Sequence, residues 1–568
     1  MATKYNDFLY KRGYAIINSK SECSFPKENW GNTEFGYYKI YYDKLNPVSY
    51  LLSPDKCTGI FTIGTVLDLK NKSIESNEIL RTLLNQLIIS EEAFFELLDY
   101  IAGRYVIFYL YNGHYKIIGD AASTKPVFYS KKVDAIASHA NLLNDLFNHE
   151  QSDFSNSIDR NLFAKSVFYL PCNYTFFNEI YFLTTNTLWN ITTSELKRFY
   201  PRKNNDKMSV KKAADKIIKI IDTEIELLNK KFERFNFSLT AGIDTRTKLS
   251  FFRNLTDKLN VFTYEDLSRT DRFGLDTYRR DVCTAGSICS KYNMKHTILS
   301  VQDMEDDSDF TEISEKNNPF SHYYKIAKLY QAQLENECLH LRSNTSAICK
   351  SIFLKNIVST NRQHRDFYDN CALLYYKKDS SLLAKHYEHF LSSISYDQLF
   401  NYNPYDMFFW EIRETLWYGS LNLESDIAFD TFELFSNRMI LSAALSVPYK
   451  DRIKDSILKR IVSVKWGKEL LQYGINMFSK DNVYNLNFKL ICKKRRSTLK
   501  AEIIPEYISN DNQYAFYIFK DGQKVETFWY TDNPIIEYNA SEPGNYQIMG
   551  FLMRNSEKNT VKGNEIKL

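Results

Sequence analysis

The 568-residue sequence predicts a mixed multidomain chain, α+β at its start, parallel α/β in its middle and a small β-sandwich at its end. Three changes of pattern carry that expectation. Apolar residues alternate with period two up to about residue 200. From about 208 they recur at helical spacing between short apolar strands, and over 501–568 they return to alternation. Domains are therefore expected at 1–203, 204–490 and 501–568.

The first part reads as strands in "CTGIFTIGTVLDL", "GRYVIFYLYNGHYKIIGD", "KPVFYSKK" and "NEIYFLTTNTLWNIT", with one helix near 77–101. Period-two runs meeting at "YNG" and "GD" turns imply antiparallel sheets. In the second part, Ile217, Ile218, Ile221, Ile225 and Leu228 mark one face of a long helix. The strand "FNFSL" follows, then a helix bearing Leu249, Phe252 and Leu255. After these come the strand "NVFTYED", a helix with Tyr278, Val282, Ala285 and Cys289 on one face, and the strand "HTILSV". Alternation of this kind implies a parallel sheet with helices on both faces. Mostly helical sequence runs on to about 480. In the third part "YAFYIFKDGQKVETFWY" reads as a hairpin turning at Asp521-Gly522, and "EPGNYQIMGFLMR" as a further strand.

Composition narrows the function classes. The chain is 44% hydrophobic and 25% charged, with 73 basic against 69 acidic side chains, so its net charge of +4 gives no reason to expect nucleic acid as a partner. The one tight basic run, Lys493-Lys494-Arg495-Arg496, falls where a solvated linker is expected. Nine cysteines without a CxxC pair fit reduced thiols. The opening "MATKYNDFLYKRGYAIINSK" lacks the apolar core of a signal peptide, and no apolar run reaches the ~18 residues of a membrane span. A cytoplasmic location is expected.

The chemistry points to residues 240–246. The strand "FNFSL" runs into Thr240-Ala241-Gly242-Ile243-Asp244-Thr245-Arg246 and at once into a helix. Ligands of parallel sheets bind at the carboxyl ends of strands. Small residues there let backbone N–H groups approach an anion, and a helix N-terminus favours negative charge. Asp244 suits a divalent cation riding on a phosphate, and Thr240 and Thr245 offer hydroxyls to phosphate oxygens. A plain connection whose Thr and Asp cap the helix fits the same residues.

Strand, then Ser/Thr–small–Gly–x–Asp–Ser/Thr, then helix resembles the pyrophosphate loop of the asparagine-synthetase-like ATP-pyrophosphatase family, with Thr240, Ala241, Gly242, Asp244 and Thr245 at the matching positions. The strand 261–264 resembles the one that cradles adenine there with backbone groups, which assigns Phe262 and Thr263 to the nucleotide. Upstream, "GRYVIFYLYNGHYKIIGDAASTKPVFYS" and "AIASHANLLNDL" resemble a class II glutamine amidotransferase domain, so the likeness covers about 1–480 in one order. It implies ATP and Mg2+ as cofactors, Asp244 as the metal ligand, and unknown carboxylate and amine substrates, with a sugar acid or aminoacyl-sugar as the guess suggested by the C-terminal sandwich.

Several family positions have changed. Ala2 stands where the N-terminal nucleophilic Cys is expected, and Ile63 replaces the oxyanion-hole Asn, leaving Gly64. Cys57 in "CTGIF" lies too close to Gly103 to head the domain and is expected to be a core thiol. Ala347 and Ile348 in "LRSNTSAICKSIF" stand where the second metal acids belong, with Glu335 and Glu337 nearby as substitutes. Ile475 replaces the family's Lys. Arg246 and Arg438 are the cations best placed to act in its stead, ahead of Arg342, although all three also suit salt bridges. Two functions follow: a ligase that adenylates a carboxylate and joins it to an amine other than glutamine-derived ammonia, or a pseudoenzyme serving as a nucleotide-binding or scaffolding module.

Overall fold

The computed structural model describes residues 4–23, 25, 27, 29–152, 154, 169–268, 272–320, 324–376, 379–473, 486–505, 512–554 and 557–568. They divide into two compact units, one of 1–239, 243–264 and 289–471, the other of 240–242, 265–288 and 472–568. The architecture is mixed α/β, with one parallel sheet and several antiparallel ones. Among the described residues no helix is long and apolar enough to cross a membrane, and all nine cysteines are free.

The larger unit begins with two six-stranded antiparallel sheets. Tyr14–Asn18 lies between Ala135–Ala137 and Tyr38–Tyr42 in one, while the long strands Gly59–Asp68 and Ile101–Tyr111 centre the other. Alternation then assigns the faces. Ile16, Ile40, Phe61, Ile63, Val106 and Phe108 form a shared core between the sheets. On the opposite face Ile60, Tyr105, Ile107 and Tyr109 meet the helices. The single helix expected near 77–101 is two, Ser76–Ile89 and Glu91–Leu98, because Ser90 caps the second through Ala93 N.

Gly64 and Gly103 sit in neighbouring strands at φ +104° and +132°. A Cβ on either would lie 2.1 Å from a carbonyl oxygen of the facing strand. Gly64 is therefore required by strand approach, and Ile63 beside it is spent in the inter-sheet core. Cys57 is corrected by the structure: it is exposed in the turn between strands rather than a core thiol, since Ser53, Asp55 and Thr58 close a tight polar loop around it.

A five-stranded sheet follows in the same unit, in the order His296–Ser300, Leu259–Glu265, Phe235–Ser238, Leu339–Arg342, Thr431–Glu433. The last three join in parallel register, as do Phe235–Ser238 and Leu259–Glu265. Val210–Lys231 buries Ile217, Ile221, Ile225 and Leu228 as the spacing predicts, with Ile218 at the margin. The helix after the first strand, Ile243–Ser250, is shorter than expected, so Phe252 and Leu255 lie beyond it. The edge strand Thr431–Glu433 is too short to show any period. The antiparallel sheets are tied to this region by Arg104, whose guanidinium grips Asp426 in two hydrogen bonds of 2.5 and 2.7 Å and Asp430 in one of 2.8 Å.

The smaller unit contains a sandwich. Phe488–Arg495, Thr498–Pro505 and Ile535–Asn539 form one sheet, and Gln523–Thr531, Gln513–Lys520, Asn545–Arg554 and Glu557–Lys562 the other, with Ile566–Lys567 also pairing Asn545–Arg554. Leu499, Ala501 and Ile503 of the first pack with Phe516, Ile518 and Leu552 of the second. Asp521 and Gly522, both at positive φ, make the tight hairpin the sequence predicts. The basic run is not a linker: Lys493, Lys494 and Arg495 belong to a strand and pair with Lys500, Leu499 and Thr498.

Candidate functional site

The strand Phe235–Ser238 ends at buried Leu239, and Ile243–Ser250 opens with Asp244 in its first turn, where the helix dipole favours an acid. This helix is buried along most of its length although much of it is polar. Its polar groups are bonded back to the protein. Thr247 Oγ1 donates to Ile243 O at 2.7 Å and Ser250 Oγ to Thr247 O at 2.7 Å. Lys248 Nζ donates to Ser238 O at 3.0 Å and to Leu341 O, and lies 4.0 Å from the centre of the Phe237 ring. Burial pushes the Lys248 ammonium down to about 7. The candidate cation Arg246 is fully buried and donates to Leu470 O at 3.0 Å, with burial lowering it to about 10.

Asp244 is met by residues that follow the strand Leu339–Arg342. Ser346 Oγ donates to Oδ1, and Lys350 Nζ donates to Oδ2 at 2.6 Å. Both come from the 3₁₀ turn Asn344–Lys350. Burial alone would depress the Lys350 ammonium, but Asp244 outweighs it and holds Lys350 above its ordinary range. Two further carboxyls lie close enough to influence this cluster. Glu433, last residue of the edge strand, accepts from Asn344 N at 2.8 Å and is raised by burial against the opposing pull of Tyr418 and Lys248. Glu414 ends a π-helical turn, Phe409–Glu414, a distortion that recurs at functional sites. Burial raises it to about 8, and its Oε1 has no hydrogen-bond partner among the described residues. The sequence reading missed Ser346, Lys350, Glu414 and Glu433. Lys350 was legible as the one charge in "SAICKSIF", the segment where acids were sought.

The loop residues fall in the smaller unit. Ala241 N donates to Asp281 Oδ1 at 2.9 Å and Gly242 N to Thr240 Oγ1 at 3.1 Å. Two N–H groups expected to face a phosphate are thus in use, one of them by a carboxylate. Burial lifts Asp281 to about 6. Asp281, on the helix Arg272–Lys291, was not singled out in the sequence.

Other expected positions are placed differently. Phe262 is fully buried against Tyr330 and His340, and its carbonyl accepts from Leu239 N. Thr263 Oγ1 donates to Leu239 O at 2.8 Å and lies 2.9 Å from His296 Nε2. Both side chains bond or pack within the protein. Arg438 donates to Asn186 Oδ1 at 3.0 Å and lies 4.8 Å from the centre of the Phe199 ring, so its charge serves contacts with the antiparallel sheets. Arg342 is buried. Glu335 and Glu337 precede the strand Leu339–Arg342 and stand exposed at its opposite end, with Glu335 beside Arg234 at 3.7 Å; they cannot replace the missing acids. Thr245 shares the first turn with Asp244. Ala2 and Ile475 lie outside the described residues.

Asp244, the acid expected to hold Mg2+, is engaged by protein donors. Both its oxygens already accept from Ser346 and Lys350, and among the described residues no three His, Cys, Asp or Glu side chains are grouped to hold a metal ion.

No protein-family model matches the chain, and no curated protein matches it. Among solved structures, domains d3–d4 of the rat CD45 extracellular region are 10% identical over 15% of this chain and 47% of that one, with TM-score 0.13. Glutamine-dependent NAD+ synthetase from Acinetobacter baumannii, in complex with ADP, is 11% identical over 37% of each chain, with TM-score 0.17. Glutamine phosphoribosylpyrophosphate amidotransferase from B. subtilis, complexed with ADP and GMP, is 10% identical over 54% of this chain and 88% of that one, with TM-score 0.23. The chain spans less than half the length of the first two. At these TM-scores none of the three carries an argument about function.

Proposed function

We propose that this chain is an ATP-dependent ligase of the asparagine-synthetase type, organised as a glutaminase-silent amidotransferase-like domain, an ATP-binding domain and an accessory β-sandwich. It adenylates a carboxylate, releases pyrophosphate and passes the acyl group to an amine other than glutamine-derived ammonia. ATP's phosphates are received by the loop 240–246. The observation that carries this reading is the charged cluster at the carboxyl end of the parallel sheet: Asp244 held by Lys350 and Ser346, with Glu414 and Glu433 buried beside it. Lys350 is the group best placed to offset negative charge on a phosphoryl oxygen, and Glu414, held largely protonated near neutrality, is a candidate proton donor or acceptor for the incoming amine. The test is pyrophosphate release from ATP across pairs of carboxylates, including sugar acids, and amines. Release that depends on both partners and is lost in Asp244→Ala is the expected result; no release with any pair contradicts it.

One observation favours a second reading, a catalytically silent nucleotide-binding or scaffolding module. Asp281 accepts the Ala241 N–H, placing a fixed carboxylate where a phosphate would bind. On that reading no pyrophosphate is released with any pair, and Asp281→Asn strengthens whatever ATP binding the module has.

A further inference from the structure

Asp244 is the acid expected to recruit a divalent cation, and its two oxygens are engaged by different donors. Ser346 Oγ takes Oδ1, and the Lys350 ammonium takes Oδ2 at 2.6 Å. The two charged side chains are 26% and 20% exposed, so solvent screens the pair only in part. The turn that supplies Lys350 is a 3₁₀ helix, in which residues three apart stand over one another. Ala347, where the second metal acid was expected, therefore shares a side with Lys350. Ala347 is partly buried against the hydrophobic core and supplies no acid there. Glu414 and Glu433 supply no alternative cage, since no three acidic, His or Cys groups converge among the described residues. A divalent ion on Asp244 would also have to displace an ammonium from contact, or sit beside it against charge repulsion.

We propose that the Lys350–Asp244 pair stands in for the divalent cation at this site, so that the chain binds a nucleoside triphosphate free of metal, its phosphates received by the ammonium. Lys350 has N–H donors beyond the one given to Asp244, and an ammonium binds phosphate as a point charge. This inference rests on the nucleotide reading above and goes past it in specifying the ionic form of the ligand.

The test is calorimetric titration of ATP into the full chain, once in EDTA and once in excess Mg2+, for wild type, Lys350→Arg and Lys350→Met. Wild type is expected to bind in EDTA at least as tightly as in Mg2+. Lys350→Arg, which keeps the charge, retains binding in EDTA. Lys350→Met loses it by about tenfold or more, while freeing Asp244 so that Mg2+ restores part of the affinity. Wild-type binding that requires Mg2+ overturns the inference and leaves the nucleotide reading standing. Binding in neither condition overturns both. Unchanged binding by a folded Lys350→Met protein in EDTA removes Lys350 from the site and also overturns the inference.

Discussion

Replacing Asp244 and Lys350 singly and together measures whether the pair at the centre of the site exists in solution. Its side chains are 26% and 20% exposed, between the fully exposed and fully buried limits. Exposed pairs contribute about 0.2–1 kcal/mol, and breaking a buried one costs about 3–5 kcal/mol. The geometry therefore points to a coupling of about 1–2 kcal/mol. After Asp244→Ala the Ser346 hydroxyl still donates to Ser343 O at 2.7 Å, so Asp244→Ala and Lys350→Met should each cost about 1–2 kcal/mol. The double variant should then fall short of the sum by the coupling energy. Urea denaturation of the four proteins at one pH and low salt reads all of these values. Additivity within about 0.3 kcal/mol would mean that the ammonium and carboxylate do not interact, and the argument for a metal substitute would fall with it.

Glu224 is fully buried on Val210–Lys231, neither carboxyl oxygen has a hydrogen-bond partner among the described residues, and burial raises it well above the usual range. A raised folded value adds stability at low pH that is lost as pH rises from the unfolded value toward the folded one. Glu224→Gln should therefore lack the loss of stability that wild type shows as pH rises above the ordinary carboxylate value; equal slopes in the two proteins refute it. Arg104→Ala leaves Asp426 buried without its cation and should cost about 3–5 kcal/mol in urea, whereas a loss under about 1 kcal/mol would deny the pair its place. Glutamine should yield no ammonia, since exposed Cys57 sits in a polar turn and Ile63 offers no oxyanion donor; release that disappears in Cys57→Ala contradicts this.

Much of the framework was legible because it rests on periodicity. The strands Gly59–Asp68 and Ile101–Tyr111, the helix Val210–Lys231 and the Asp521-Gly522 hairpin are long or carry strong turn chemistry. Thr431–Glu433 is too short to carry a period, yet it delivers Glu433. The site was half legible. Asp244 could be singled out from its place between a strand and a helix, but its partner Lys350 lies 106 residues away, a proximity only the folded sheet creates. Asp281 was hidden for the same reason, inside a helix read only for its apolar face. Arg438 and Phe262 are both buried, the first beside Phe199 and the second against Tyr330, neighbours that no sequence pattern reveals.

Calorimetric titration of ATP into wild type and Gly242→Val tests the central claim most directly. Gly242 has no left-handed backbone angle, and a Cβ there meets only Thr240 Oγ1, at 3.2 Å, so the variant should fold. Its side chain would nevertheless stand where a phosphate must approach the backbone. The account predicts saturable one-to-one ATP binding by wild type and none by folded Gly242→Val. Undiminished affinity in Gly242→Val, or no heat of binding in wild type, would contradict it.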